Sequence, residues 1–93
     1  MFNQQMRISE GKIKKIKESI LAFLFHNSPK SFYTYNIASE IARDEEFIKR
    51  LLHELVKEGF VTRVEKSNQG IKYLRRERWR LTNKAFKAYS ELQ

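Results

Sequence analysis

The hydrophobic period of this chain changes at one residue. In Leu51-Leu52-His53-Glu54-Leu55-Val56-Lys57-Glu58-Gly59-Phe60-Val61, apolar side chains recur at helical spacing as far as Val56. Beyond Gly59 a run of strand formers, Phe60-Val61-Thr62-Arg63-Val64, takes over. Glycine closes a helix because it reaches the left-handed conformation without a Cβ clash. The chain is thereby committed to a helix docked at the foot of a strand, and so to an α+β architecture.

Upstream, the pattern is helical. Ser9 is a candidate N-cap for a first helix running to about His26, in which Ile13, Ile16, Ile20, Leu21, Leu24 and Phe25 recur at three-and-four spacing. Lys12, Lys14, Lys15 and Lys17 lie mainly on its other side, as a solvated face or as phosphate contacts. Asn27-Ser28-Pro29 ends the helix, since proline disfavours helical geometry in the residue before it. Ser31-Phe32-Tyr33 suits a short edge strand. Thr34 is expected to cap a second helix with Ile37, Ala38 and Ile41 on its inner face, small Ala38 and Ala42 permitting close packing. Asp44 is expected to cap a third helix, which runs to about Glu58 and buries Ile48, Leu51, Leu52, Leu55 and Val56. Glu46, Lys49, Arg50, His53 and Lys57 are left on the opposite face.

Downstream, Ser67-Asn68-Gln69-Gly70 is a turn cluster, and a returning strand reaches Trp79-Arg80-Leu81. Two registers fit: a tight turn at Asn68–Gly70, or a longer loop through Tyr73. Between residues 63 and 80 the hairpin carries a net charge of +5. Thr82 then caps a last helix, over 83–92, with Ala85, Phe86, Tyr89 and Leu92 on one side.

Ninety-three residues make one domain that buries only about 60–65% of the unfolded chain's surface, so added core from a second subunit is expected. With 41% apolar residues, one proline and three glycines, the chain is too hydrophobic to be disordered. The absence of cysteine excludes a disulfide scaffold, thiolate metal sites and cysteine catalysis. The longest apolar run, Ile20-Leu21-Ala22-Phe23-Leu24-Phe25, falls far short of the roughly 18 residues needed to span a bilayer. The N-terminus lacks a signal-peptide succession, and a cytosolic location is expected. The net charge of +8 favours an anionic partner. It is unevenly spread: +4 over residues 1–30, −2 over 31–59 and +6 over 60–93.

The order helix, short strand, helix, turn, helix, two-stranded hairpin, helix resembles the winged helix-turn-helix family of small prokaryotic and archaeal regulators, over residues 10–92. Leu52-His53-Glu54-Leu55-Val56-Lys57-Glu58-Gly59-Phe60-Val61 is similar to that family's recognition-helix exit, and Trp79-Arg80-Leu81-Thr82-Asn83-Lys84 to its wing exit. Length, lysine content and lack of cysteine are also similar to small regulators of archaeal viruses and plasmids. The resemblance implies a mainly α fold of the α+β class, with a three-helix core, a two-stranded wing over 60–81, a C-terminal helix and an N-terminal arm over 1–9. It further implies a homodimer through the terminal helices that binds duplex DNA and regulates transcription. Carried over, the readers are Lys49, Arg50 and His53, with Glu46 beside them, and the wing contacts are Arg63, Lys66, Lys72, Arg75, Arg76 and Arg78. The departure is Asp44-Glu45-Glu46, three acids where readers commonly sit. They serve as a cap and dipole complement, or a carboxylate accepts from a cytosine amino group, or this face meets another partner.

No enzyme chemistry is visible. His26 and His53 fall on different helices without a ligand cluster, so no metal or cofactor is expected. Gly11, Gly59 and Gly70 are isolated, which excludes a glycine-rich phosphate loop. Adjacent Glu45 and Glu46 point in different directions on a helix and do not converge on one substrate atom. Phe32, Tyr33, Tyr35 and Trp79 are either core or stacking platforms for single strands. No small-molecule ligand is evident. Two further functions fit the same fold: a protein-interaction module, favoured by the acidic middle third, and a DNA-binding adaptor for plasmid partition or replication.

Overall fold

The computed structural model describes residues 8–64 and 77–92. Among them the elements run α1 (Glu10–His26), β1 (Phe32–Tyr33), α2 (Thr34–Ile41), α3 (Glu45–Lys57), β2 (Val61–Val64), β3 (Arg78–Leu81) and α4 (Asn83–Leu92). This is the winged-helix arrangement expected from the sequence. The hairpin gains a third strand from β1, giving an antiparallel sheet of order β1-β3-β2.

Local signals set most boundaries. The Ser9 hydroxyl accepts from the Lys12 amide at 3.2 Å, and Asp44 Oδ2 accepts from the Phe47 amide at 3.0 Å, each satisfying a donor that the first helical turn leaves free. At the far end of α3, Gly59 takes φ +86°, and the Phe60 amide returns to the Leu55 carbonyl at 3.0 Å. Thr82 joins two elements with one hydroxyl. Its Oγ1 donates to the Gly59 carbonyl at 2.9 Å and accepts from the Ala85 amide at 3.0 Å, so the exit of α3 and the start of α4 are tied together.

Two helix ends of the sequence reading change. Thr34 is the first residue of α2 and not its cap; Tyr33 holds the cap position, and its amide donates to Asn36 Oδ1 at 3.3 Å. Thr34 is buried instead, where its Oγ1 accepts from the Trp79 indole at 2.8 Å. Ala42 is exposed and takes φ +63° as the residue closing α2, so it gives no close packing.

The core is the meeting of four apolar stripes. Ile16, Ile20 and Leu24 from α1, Ile37 and Ala38 from α2, and Ile48, Leu51, Leu52 and Leu55 from α3 pack on Val61, Trp79 and Leu81 of the sheet. Val56 and Ile41 only border it. Each fully buried leucine or isoleucine contributes about 1.5–3 kcal/mol before chain entropy is set against it. Lys17 links α1 to α3 from outside, its ammonium 2.9 Å from Glu54 Oε1 and 3.2 Å from Glu58 Oε2. The hydrogen bond to Glu54 leads in raising the Lys17 pKa, against desolvation, with Glu58 adding to the rise. A raised folded-state pKa means that this link acts at neutral pH and is lost only as pH climbs through the raised value.

The sheet register is Val61↔Leu81, Thr62↔Arg80, Arg63↔Trp79 and Val64↔Arg78 on one side of β3, and Phe32↔Trp79 and Tyr33↔Arg78 on the other. The turn, whose two alternatives the sequence leaves open, lies outside the described residues. β3 is therefore the middle strand, and its Trp79 is fully buried.

Thr34→Val keeps shape and removes the acceptor of the Trp79 indole, leaving a buried N–H unpaired at a cost of about 1–3 kcal/mol. In a domain of this size each kcal/mol corresponds to roughly 4–8 °C in Tm, so thermal unfolding should show a clear drop. A Tm unchanged within 1–2 °C, roughly a few tenths of a kcal/mol, would remove the hydrogen bond from the account.

Candidate nucleic-acid interface

Because α3 buries Ile48, Leu51, Leu52 and Leu55, helical geometry turns Glu46, Lys49, Arg50, His53 and Lys57 toward the outside. Glu45, Glu46, Lys49, Arg50 and Lys57 are exposed, whereas His53 is half-buried. The His53 ring stands edge-on to Trp79, with centroids 5.2 Å apart and planes at 87°. Arg50 lies over the ring of Phe47 at 5.3 Å, held back along its own helix by a cation–π contact.

The sheet supplies the other half. Side chains alternate across a strand, so Glu77, just ahead of β3, projects on the same face as Trp79 and Leu81, and Arg63 on the same face as Val61. One face of the sheet thus passes from apolar core to charged surface within three alternating positions. There the Glu77 carboxylate gathers two cations and an imidazole from two elements. Oε2 accepts from Arg63 Nη1 at 3.1 Å, while Oε1 stands 3.9 Å from Lys49 Nζ and 4.0 Å from His53 Nε2. Lys49 and His53 are one turn apart on α3, which is why one carboxylate meets both. Arg78 leaves from the opposite face of β3, its guanidinium 5.8 Å from the centre of the Tyr33 ring, and Tyr33 stacks in turn with Tyr35 at 6.1 Å.

Between the starts of α2 and α3 and Glu77 lies a cleft of about 500 Å³ lined by Tyr33, Thr34, Tyr35, Glu45, Glu46, Lys49 and Glu77. Its acids outnumber its one lysine. Asp44 itself faces the helix as a cap, so the acidic turn divides into one structural residue and two exposed carboxylates.

The structure therefore brings Lys49, His53 and Arg63 together, leaves Glu46 and Arg50 on the same helix surface, and places Arg78 on the other side of the sheet. Lys66, Lys72, Arg75 and Arg76 lie outside the described residues. Lys12, Lys14 and Lys15 are solvated, as one reading of that cluster has it, but Lys17 is spent on Glu54 and Glu58. Sequence reasoning missed Glu77. It counts there only as a charge to subtract, and its position depends on a strand register that the chain does not reveal. Trp79 is core and offers no stacking platform; Tyr35 is exposed. Among the described residues no group of three or more His, Asp or Glu side chains could hold a metal ion, and no helix is long and apolar enough to cross a membrane.

No protein-family model and no curated protein sequence matches the chain. Solved structures do. A MarR family transcriptional regulator from Silicibacter pomeroyi superimposes with a TM-score of 0.67 at 21% identity, over 88% of this chain and 50% of that one. Lactococcus lactis ZitR, as its apo C30AH42A mutant, gives 0.66 at 17% identity, over 87% and 56%. S. aureus MepR in complex with DNA gives 0.66 at 19% identity, over 95% and 66%. These likenesses establish the winged-helix fold. The chain spans about half to two thirds of the length of the proteins it matches.

Asp44→Ala should lose about 1 kcal/mol of stability, the usual cost of an N-cap. Glu45→Gln with Glu46→Gln should melt like the parent, since neither carboxylate is buried. Denaturant unfolding of the two variants separates the cap from the surface charges; equal losses would put all three acids in one structural role.

Proposed function

We propose that this protein binds duplex DNA sequence-specifically and regulates transcription, without catalysis. The observation that carries the reading is the exposed basic edge of α3, Lys49 and Arg50, set beside Arg63 at the base of a hairpin whose net charge is +5. A helix of this width fits the major groove, and a basic hairpin beside it lies on the backbone or in the minor groove. In this reading Glu46, Lys49, Arg50 and His53 face base edges. Arg63, Lys66, Lys72, Arg75, Arg76 and Arg78 neutralise phosphates, which supply affinity but no sequence information. The likeness to a winged-helix regulator solved in complex with DNA supports it.

The active form in this proposal is a symmetric dimer through the terminal helices. Support comes from α4, where Phe86 packs at a tilt on Phe25 of α1 at 5.2 Å and Tyr89 stacks on it at 5.0 Å, while Phe86 and Leu92 remain 41% and 82% exposed. An apolar ridge of this kind is satisfied by a second copy. Two recognition helices would then sit about one duplex turn apart and select a palindromic site. A second reading, a protein-interaction module, is favoured by the exposed Glu45 and Glu46 and the acid-lined cleft beside them.

Salt separates the two readings. For duplex binding, the logarithm of affinity falls with the logarithm of salt by about 0.9 per phosphate neutralised, whereas a protein interface with an apolar core is nearly indifferent. Arg50→Ala should cost about 1–3 kcal/mol on the preferred duplex and little on others, while Arg75→Ala weakens all duplexes alike. A flat salt response in anisotropy titrations would favour the second reading.

Phe86→Glu should dissociate the dimer. Sedimentation equilibrium at micromolar concentration should find the parent as a dimer and the variant as a folded monomer. A parent that is already monomeric would dispose of the symmetric arrangement.

A further inference from the structure

Glu77 is an acid at the centre of a face proposed to meet phosphates, and nothing in a simple account of DNA affinity calls for it. It is also incompletely satisfied: Oε1 is buried, and among the described residues no donor reaches hydrogen-bond distance, the Lys49 ammonium and the His53 imidazole standing at 3.9 and 4.0 Å. A buried charged acceptor left in this state is unfavourable, and it persists where the surrounding structure fixes it. Glu77 immediately precedes β3, and side-chain alternation carries it to the face of Trp79 and Leu81, both in the core.

Its effect on the neighbouring Lys49 and Arg63 follows from charge, and on His53 from proximity. Lys49 and His53 on α3 and Arg63 on β2 all face this single carboxylate. A carboxylate repels phosphate at the same range at which it holds these cations. Lys49 and Arg63 are thereby kept from swinging onto whichever phosphate comes nearest, and α3 and the hairpin base keep one relative arrangement.

Resting on the reading of this face as a duplex-binding surface, we propose that Glu77 is the specificity-setting residue of the interface: it positions Lys49, His53 and Arg63 as one cluster and withholds its two fixed cations, Lys49 and Arg63, from indiscriminate phosphate contact. It touches no base itself. Discrimination arises because a random duplex cannot recover the attraction lost when the cluster opens, whereas the preferred one is read with the cluster in place. A repulsive element of this kind raises the ratio of specific to non-specific affinity even while it lowers the total.

The test compares the parent with Glu77→Gln, which keeps shape and removes charge, on a duplex selected from random DNA and on a scrambled duplex, across a range of salt. The expected result is tighter binding of the scrambled duplex, a salt slope steeper by about 0.9 for each cation released, and a specificity ratio lower by roughly fivefold or more, the worth of one base pair. In a Lys49→Gln background the same change should steepen the slope by one cation fewer, which a merely structural role would not produce. Should Glu77→Gln fail to melt cooperatively, Glu77→Asp, with the same charge and a shorter reach, should lower the ratio without steepening the slope. Slope and ratio equal to the parent's, or equal weakening on both duplexes, would overturn the proposal while leaving duplex binding intact. A parent that binds no duplex at low salt would instead overturn the duplex-binding reading, and this proposal with it.

Discussion

The structure depends on where one indole is held. Trp79 occupies the middle strand of a three-stranded sheet, paired on one side with Phe32 and on the other with Arg63, and no part of it reaches solvent. A tryptophan so placed must find an acceptor for its N–H, and Thr34 provides one at 2.8 Å from the first turn of α2. His53 of α3 packs against the indole with its plane nearly perpendicular. The indole thus sets the relation between the sheet, the second helix and the third. Lose its partner, and a buried N–H is left unpaired at the seam between the sheet and α2.

From this constraint the charged surface inherits its order. Glu77, Trp79 and Leu81 share one face of the chain entering and forming β3, so the core and the ionic cluster are successive stations on a single pleat. The carboxylate at the end of that pleat has one oxygen, Oε1, buried. Lys49 and His53 are registered by the leucines between them on α3. Hydrophobic burial therefore decides where the charges stand, and electrostatics decides only what they then attract.

What the sequence discloses and what it hides divide along the range of the interactions. Ser9, Asp44, Gly59 and Thr82 are legible because a cap or a helix stop acts within a few residues of itself, and each plays the expected part in the structure. The buried stripe of α3 is legible for the same reason. Thr34 misleads because its hydroxyl suits a cap equally well, and only a partner 45 residues away draws it into the core. Ala42 misleads because alanine carries no signal for a left-handed turn; the close of α2 is imposed by the approach to Asp44. The polar face of α3 could be drawn on a helical wheel, yet the grouping of Lys49, His53 and Arg63 about one carboxylate required the pairing of β2 with β3. Periodicity gives the faces of elements, and it is silent on which faces meet.

Trp79 is the only tryptophan in the chain. Its optical signal consequently comes from one place, the seam between the sheet, the second helix and the edge of α3 that carries His53. Indole emission responds to the polarity around the ring, and here the ring has a hydroxyl at its nitrogen and an imidazole 5.2 Å away, centroid to centroid. The protein carries an intrinsic probe within one side chain of its charged surface. Unfolding and occupation of that surface would register at the same chromophore, the first by admitting water to it and the second by disturbing the imidazole beside it.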